Sequence, residues 1–315
     1  MFSFKKLEKN KDLFFRFTGI SSNNFKLLFA KIENESEIFE EKRLSRPNRK
    51  KAIGQGNNFK YELKERVLIT LFYYRVYTTM DFLAFFIDLD KSNISRNISM
   101  LEKIIKKVIP LPKKIYLSKQ KIRTEEELLK IFPELKAIVD ATEQKINRPK
   151  HKTRRDNHFS GKKKIYSKKT QIIINKDGLI IHKSKSRMGK KHDKKLFDEE
   201  APKIPKEIII EGDSGYQGIS EEVRNEVHLP RKKQKGKKRS REDKKYNRKL
   251  SKSRILVENV IGRMKQFGVM KEKYRNRFED YDKKIDLVVG LVNLRTIERM
   301  KLRVEERLEE NIFVF

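Results

Sequence analysis

Apolar positions recur at helical spacing from Tyr61 onward. In "YELKERVLITLFYYRVY", Leu63, Val67, Leu71 and Tyr74 share one helical face. The next stretch, "TTMDFLAFFIDLDKSNISRNISMLEKIIKKVI", reads as two short helices about a tight turn. The first runs from Thr79 to Phe86 and breaks at "IDLD"; the second opens with Ser92 as its N-cap. Ile94, Ile98, Leu101, Ile105 and Val108 make the buried stripe of that second helix, leaving Asn93, Ser95, Arg96 and Asn97 facing outward near its start. A helix-turn-helix presents such residues to DNA base edges, and Asn and Arg pair bidentately with adenine and guanine. A helical hairpin with a solvated polar face has the same pattern.

After Pro133 the period changes. "LKAIVDAT" reads as a short apolar strand, and "YSKKTQIIINKDGLIIHKS" as a hairpin about Asn175 to Gly178, with Gly supplying positive φ. "HDKKLFDEEAPK" reads as a short helix, "KEIIIEGDSGYQG" as a strand ending at Asp213, and "EVHLPRK" as a last short strand. "RKKQKGKKRSREDKKYNRK" is too charged to pack and reads as a loop. "SRILVENVIGRMKQFG" and residues 280–308 are helical. Helices followed by a strand–helix alternation predict an all-α region and then an α/β domain of mixed sheet. The organisation is a helical segment at 1–45, a basic linker at 46–57, the helix-turn-helix region at 58–115, the α/β domain at 130–300 and a tail at 301–315.

Charge sharpens this picture. Of the 315 residues, Lys and Arg number 78 against 44 Asp and Glu, a formal net charge of +34. So large an excess favours a polyanionic partner, nucleic acid ahead of an anionic membrane surface. No apolar run reaches the ~18 residues a membrane span needs, and the N-terminus lacks an apolar signal-peptide core, so a cytoplasmic protein is expected. With no cysteine, disulfides and thiolate zinc sites are excluded.

Against that background, two apolar runs end in aspartate, at Asp140 in "KAIVDATE" and at Asp213. Taken alone, Asp140 reads first as a turn opener. Carboxylates at carboxyl ends of strands in an open α/β sheet stand where such folds bind ligands. In the following helix, Arg254, Glu258 and Lys265 lie on one stripe beside an apolar arc, with Gly262 one turn on. An ordinary i,i+4 pair of Glu258 with Arg254 fits the same spacing. Cleaving a phosphodiester requires charge neutralisation at the attacking and leaving oxygens. Two Mg²⁺ ions ~3.5–4 Å apart provide it, flanked by carboxylates, with Mn²⁺ able to substitute. The basic surface would then hold DNA and the acidic point the metal.

"RFTG" (16–19), the helix-turn-helix, "YSKKTQ" (166–171), "GKKHDKKLF" (189–197), "GDSGYQG" (212–218), "LPRKKQKGKK" (229–238) and "NRKLSKSRILVENVIGRMK" (247–265) occur in order along nearly the whole chain. Together they resemble the bacterial DDE transposases of insertion sequence family five, related to the Harbinger group. The resemblance implies a ribonuclease-H-like catalytic domain, with Asp140, Asp213 and Glu258 as catalytic metal ligands. Arg254, Glu258 and Lys265 match the family's helix signature, whose first position is Ser251 here, and Ala141 replaces the more usual Gly. Arg254 and Lys265 would hold DNA phosphate. Lys232, Lys233, Lys237 and Lys238 of the basic loop would lie along the DNA backbone. His192 and Asp193 match a motif at a helix start, where Asp193 reads as a structural cap. The implied activity is binding of terminal inverted repeats in double-stranded DNA, metal-dependent cleavage and strand transfer into target DNA, by a homodimer or larger assembly. A non-catalytic DNA-binding regulator and an RNA-processing nuclease are the alternatives.

Overall fold

The computed structural model describes residues 4–45, 47, 59–113, 124–200, 202–221, 223–233, 236 and 238–312. The basic linker expected at 46–57 lies outside the described residues except for Pro47, and Lys237 lies outside them too. Packing divides the chain into two units: Met1–Leu111 with Gln266–Val269 and Lys283–Glu298, and Pro112–Lys265 with Met270–Asp282 and Arg299–Phe315.

In the first unit, α1 (Phe4–Lys9), α2 (Lys11–Thr18) and α3 (Ser22–Leu44) precede α4 (Leu63–Val76). Local capping sets their starts: Asn10 accepts from the Leu13 amide, and Ser21 from that of Asn24. Every residue of α4 from Arg66 to Tyr74 is buried, as expected of a helix apolar nearly all round, and α2, α3 and α6 pack against it.

The two helices expected about a tight turn are α5 (Met80–Ile87) and α6 (Lys91–Val108). Thr79 caps α5, and Asp88 turns the chain through a left-handed conformation at φ +49°. The cap of α6 is Asp90, whose carboxylate accepts from the Ser92 amide at 2.7 Å, rather than Ser92 itself. A carboxylate at this position also complements the helix dipole. Ile94, Ile98, Leu101 and Ile105 are buried as the spacing predicts, and Ile104 joins them. Asn93, Ser95 and Arg96 are exposed. Asn97 does not face outward: its Oδ1 accepts from Arg66 Nε at 2.7 Å and its amide donates to the Arg66 carbonyl at 3.3 Å. The buried guanidinium of α4 takes it because an unpaired buried donor is costly.

The second unit begins with α7 (Glu125–Ile131) and β1 (Lys136–Lys145). There follow α8 (Lys152–His158), β2 (Phe159–Ser160), β3 (Ile165–Asn175), β4 (Ile180–Lys183), β5 (Arg187–Met188) and α9 (Asp193–Glu200). Next come β6 (Ile209–Glu211), β7 (Val227–His228) and α10 (Arg241–Lys265); α11 (Gly268–Lys271) and α12 (Tyr281–Ile312) follow, and of these Gly268–Val269 and Lys283–Glu298 belong to the first unit. β1 pairs antiparallel with β3 and parallel with β6; β3 carries β4 antiparallel, and β6 carries β7 parallel. This is the mixed sheet expected of the α/β region, in the order β4–β3–β1–β6–β7, with β2 and β5 also on β3.

Alternation along β1 separates two faces. Ala137 and Val139 join Ile173, Ile181, Ile210, Phe197 and Tyr216 in one core. Ile138, Asp140 and Thr142 belong to the other face, and α10 packs against β1. The charged stretch expected as a loop is partly helical, because α10 starts at Arg241 rather than near Ser253. Ser240 caps it through the Asp243 amide at 3.0 Å, and Glu242 and Asp243 occupy its first turn, which offsets the cost of so many exposed cations.

The hairpin turn forms where the sequence places it. Asn175 Oδ1 accepts from the amides of Asp177 at 3.0 Å and Leu179 at 2.9 Å, while Gly178 sits at φ +78° with Val260 Cγ2 3.3 Å from where a Cβ would be. Gly178→Ala is therefore expected to lower stability by about 1–2 kcal/mol, and Gly178→Asn by less, since Asn tolerates the left-handed region. Thermal melting of both variants checks this ranking; an unchanged Ala variant would contradict it.

Candidate active site

Strand register brings the two aspartates together. β1 and β6 pair in parallel from Lys136↔Ile209 to Ile138↔Glu211. Asp140 and Asp213 each come two residues after the last paired positions, and the charge of Asp213 acts on Asp140. Pairing has stopped by then: β6 ends at Glu211, and Asp213 opens a 3₁₀ turn over Ser214–Tyr216. β1 does not end at Asp140, as its apolar run suggests. It continues to Lys145, with Asp140 opposite Ile172 of β3. Thr142 and Gln144 are buried in that polar extension, so the strand is held by β3 where the hydrophobic signal fades.

One oxygen of each carboxylate is tied to the backbone. Asp140 Oδ1 accepts from the Ala141 amide at 2.7 Å, and Asp213 Oδ1 from the Gly215 amide at 2.8 Å. These bonds fix the rotamers, and among the described residues the second oxygen of each accepts no hydrogen bond. Burial pushes the Asp140 carboxyl up to about 6, aided by the charges of Asp213 and Asp193 and opposed by the Ala141 amide and Arg254. Tyr216, fully buried, has its phenol raised first by burial and then by Asp193, Asp140 and Asp213. Asp193 therefore belongs to the electrostatics of the site. Its position at a helix start had suggested a cap, and only the folded arrangement reveals the neighbours.

The helix α10 supplies the cations. Arg254 is half-buried and acts on both Asp140 and Tyr216. Lys265 has its ammonium lowered by burial and by Lys163, with Asp140 and Glu143 opposing. Beside Arg254, Ser253 donates to the buried Glu211 at the end of β6 and accepts from Lys176 Nζ at 2.9 Å. This polar link ties α10 to the strand that leads into Asp213. Neither Glu211 nor Ser253 was apparent as a site-forming residue, since their partnership spans distant parts of the chain.

Glu258 stands apart. Its side chain is 57% exposed, its partner is Arg254 at 3.8 Å, and it is not among the charges that act on Asp140. Among the described residues, no group of three or more His, Asp or Glu is arranged to hold a metal ion. The donor chemistry of Asp140 and Asp213 nevertheless fits a hard dication: two carboxylates, each with an oxygen that accepts no hydrogen bond among the described residues. At Gly262 an added Cβ meets nothing within 4 Å, so that face of α10 is open.

The remaining candidates are surface groups. Lys232, Lys233 and Lys238 are exposed. The segment leading to them is pinned at Arg231, whose amide donates to Asn247 Oδ1 at 2.9 Å and whose guanidinium pairs with Asp243 at 3.1 Å. Arg96 bonds Asn93 Oδ1 and the Ser92 carbonyl, both at 3.1 Å. No helix among the described residues is long and apolar enough to cross a membrane.

Residues 139–293 match the family described as DDE superfamily endonuclease. The chain is also 38% identical over 105 residues to a protein named "Probable transposase for insertion sequence element IS702" from Microchaete diplosiphon; the match covers 33% of this chain and 38% of that relative. No solved structure matches at a comparable level.

The Asp140 carboxyl gives a test of the site without any ligand. The folded protein holds its proton up to about pH 6, whereas the ordinary value is 3.8. Between these values the folded state binds the extra proton, so stability falls as pH rises through the window. Asp140→Asn is expected to stabilise the metal-free protein at neutral pH by about 1–3 kcal/mol, with the gain fading toward pH ~4. Melting both proteins in EDTA across this range checks it; a pH-independent difference would contradict it.

Proposed function

We propose that this chain, which is related to the DDE superfamily endonucleases, is a DNA transposase. It would bind the terminal inverted repeats of its element and catalyse metal-dependent strand cleavage and transfer at a site built on Asp140 and Asp213. The observation that carries this reading is that Asp140 and Asp213 follow the paired segments of two neighbouring parallel strands and act on one another electrostatically, in a chain of net charge +34. The antiparallel run of β1, β3 and β4 followed by parallel β6 and β7 supports the ribonuclease-H-like reading of the catalytic domain.

Asp140 and Asp213 would hold a divalent cation, Mg²⁺ or Mn²⁺ and two ions in all, which would supply charge neutralisation at the oxygens of the scissile phosphodiester. The chain's own residues prepare for this. The Ala141 and Gly215 amides orient the carboxylates. Arg254 balances Asp140 while no cation is present and, with Lys265, offers positive charge to a phosphate. Glu258 would have to turn from Arg254 to join the ligand set, and an exposed i,i+4 pair worth only ~0.3–0.5 kcal/mol offers little resistance to that. Asn93, Ser95 and Arg96, exposed on the opening turns of α6, read bases. Lys232, Lys233 and Lys238 add phosphate contacts that carry no sequence information. Pairing two ends implies a dimer or larger assembly during reaction.

Paired gel-shift and strand-cleavage assays test this, on duplexes carrying the inverted repeats that flank the coding region. Asp140→Asn and Asp213→Asn are expected to abolish cleavage in Mg²⁺ while leaving end binding near that of the parent. Arg96→Ala is expected to reduce discrimination between cognate and random ends by roughly 1–3 kcal/mol. A parent that binds ends but never cleaves would favour a non-catalytic regulator. Carboxylate variants that fold yet lose end binding would overturn the separation of roles.

A further inference from the structure

Asp193 has no place in the ligand set considered so far, yet it faces the same small volume as Asp213. A Cβ built on Gly215 would lie 2.8 Å from Asp193 Oδ2 and 2.9 Å from Asp213 Oδ1, so only a glycine leaves the two oxygens room to converge. The other oxygen of Asp193 is held from behind. Lys169, a nearly buried residue of β3, pairs with Asp193 Oδ1 at 2.9 Å and with Glu143 Oε1 at 3.7 Å, and donates to the Lys191 carbonyl at 2.7 Å. Ser167 in turn donates to Glu143 Oε2 at 2.7 Å. A helix cap needs none of this framework, because its partner is the backbone of its own first turn.

A second observation points to a ligand. The hydroxyl of Tyr216 is fully buried and has no hydrogen-bond partner among the described residues. Among the charges that act on this phenol, Asp193 comes first, ahead of Asp140 and Asp213. A buried phenol normally finds a partner, and this one lies in the field of all three carboxylates. The three carboxylates do not converge closely enough to ligate one ion directly. Mg²⁺ dehydrates reluctantly and keeps several of its waters, so a hydrated dication spans such a gap.

We propose that Asp193 is a further cation-binding carboxylate of this site, tethered by Lys169, that accepts hydrogen bonds from the water shell of a dication held by Asp140 and Asp213. Tyr216 then donates into the same shell. The inference rests on the metal-dependent reading above and adds a residue which that reading does not require. Lys169 acts as a positioning residue, fixing one oxygen of Asp193 so that the other points inward.

Mn²⁺ binding to the full chain without DNA tests it, with free Mn²⁺ followed by electron paramagnetic resonance. Four variants are compared with the parent: Asp193→Asn, Asp193→Ser, Asp213→Asn and Asp198→Asn. Far-ultraviolet circular dichroism selects the Asp193 variant that keeps the parent's fold. Asp193 and Asp213 variants are expected to lose about tenfold or more in affinity, the scale of a lost supporting contact. Asp198→Asn removes a carboxylate of the same helix that pairs with Lys194 and is expected to change affinity far less. Parent-like affinity in both Asp193 variants, with Asp213→Asn impaired, would overturn this inference and leave the transposase reading standing. Equal losses from Asp198→Asn and Asp193→Asn would reduce Asp193 to a general field effect and overturn it as well. A parent that binds no Mn²⁺ would sink both readings together.

Discussion

Parallel pairing of β1 with β6 leads into Asp140 and Asp213 just where the pairing stops. Two carboxylates so placed, one largely buried, repel each other, and burial adds the cost of removing charge from water. The raised Asp140 carboxyl is the direct expression of that conflict. Much of the surrounding structure holds the arrangement against it. The Ala141 and Gly215 amides bind one oxygen of each carboxylate, Arg254 places a cation within reach, and the Glu211–Ser253 link fastens α10 to the strand that leads into Asp213. Under the proposed function, a dication bound there would convert the unfavourable term into a favourable one.

The wider charge distribution answers a different need. Exposed cations stand on α6, at Lys91 and Arg96, and at Arg231, Lys232 and Lys233. Surface cations of this kind contribute to polyanion binding through counterion release and screening-sensitive attraction, whereas a carboxylate holds a cation only over a few ångströms. Under the proposed function the two ranges would let the chain hold a long polyanion broadly and act on it at one place.

Features that depend on neighbouring residues were legible in the sequence; features that depend on distant partners were not. The Asn175–Gly178 turn, the α6 stripe and the apolar runs into Asp140 and Asp213 follow from local spacing. The extension of β1 to Lys145 does not, because its buried Thr142 and Gln144 are polar and are explained only by pairing with β3. Asn97 looked free for DNA because nothing nearby shows that Arg66 of α4 needs a partner. The start of α10 at Arg241 was hidden by a charge density that resembles a loop, although Ser240 and two acidic residues form a sound helix beginning. Asp193 was visible as a helix start, while its convergence with Asp213 over Gly215 exists only in the folded chain.

The central claim is that Asp140 and Asp213 form a cation site, and anomalous diffraction from crystals of the full chain grown with Mn²⁺ tests it most directly. The account predicts an anomalous peak between the two carboxylates, with Glu258 turned away from Arg254 toward the ion. Crystals in which Mn²⁺ occupies other acidic positions while Asp140 and Asp213 remain without metal would contradict it.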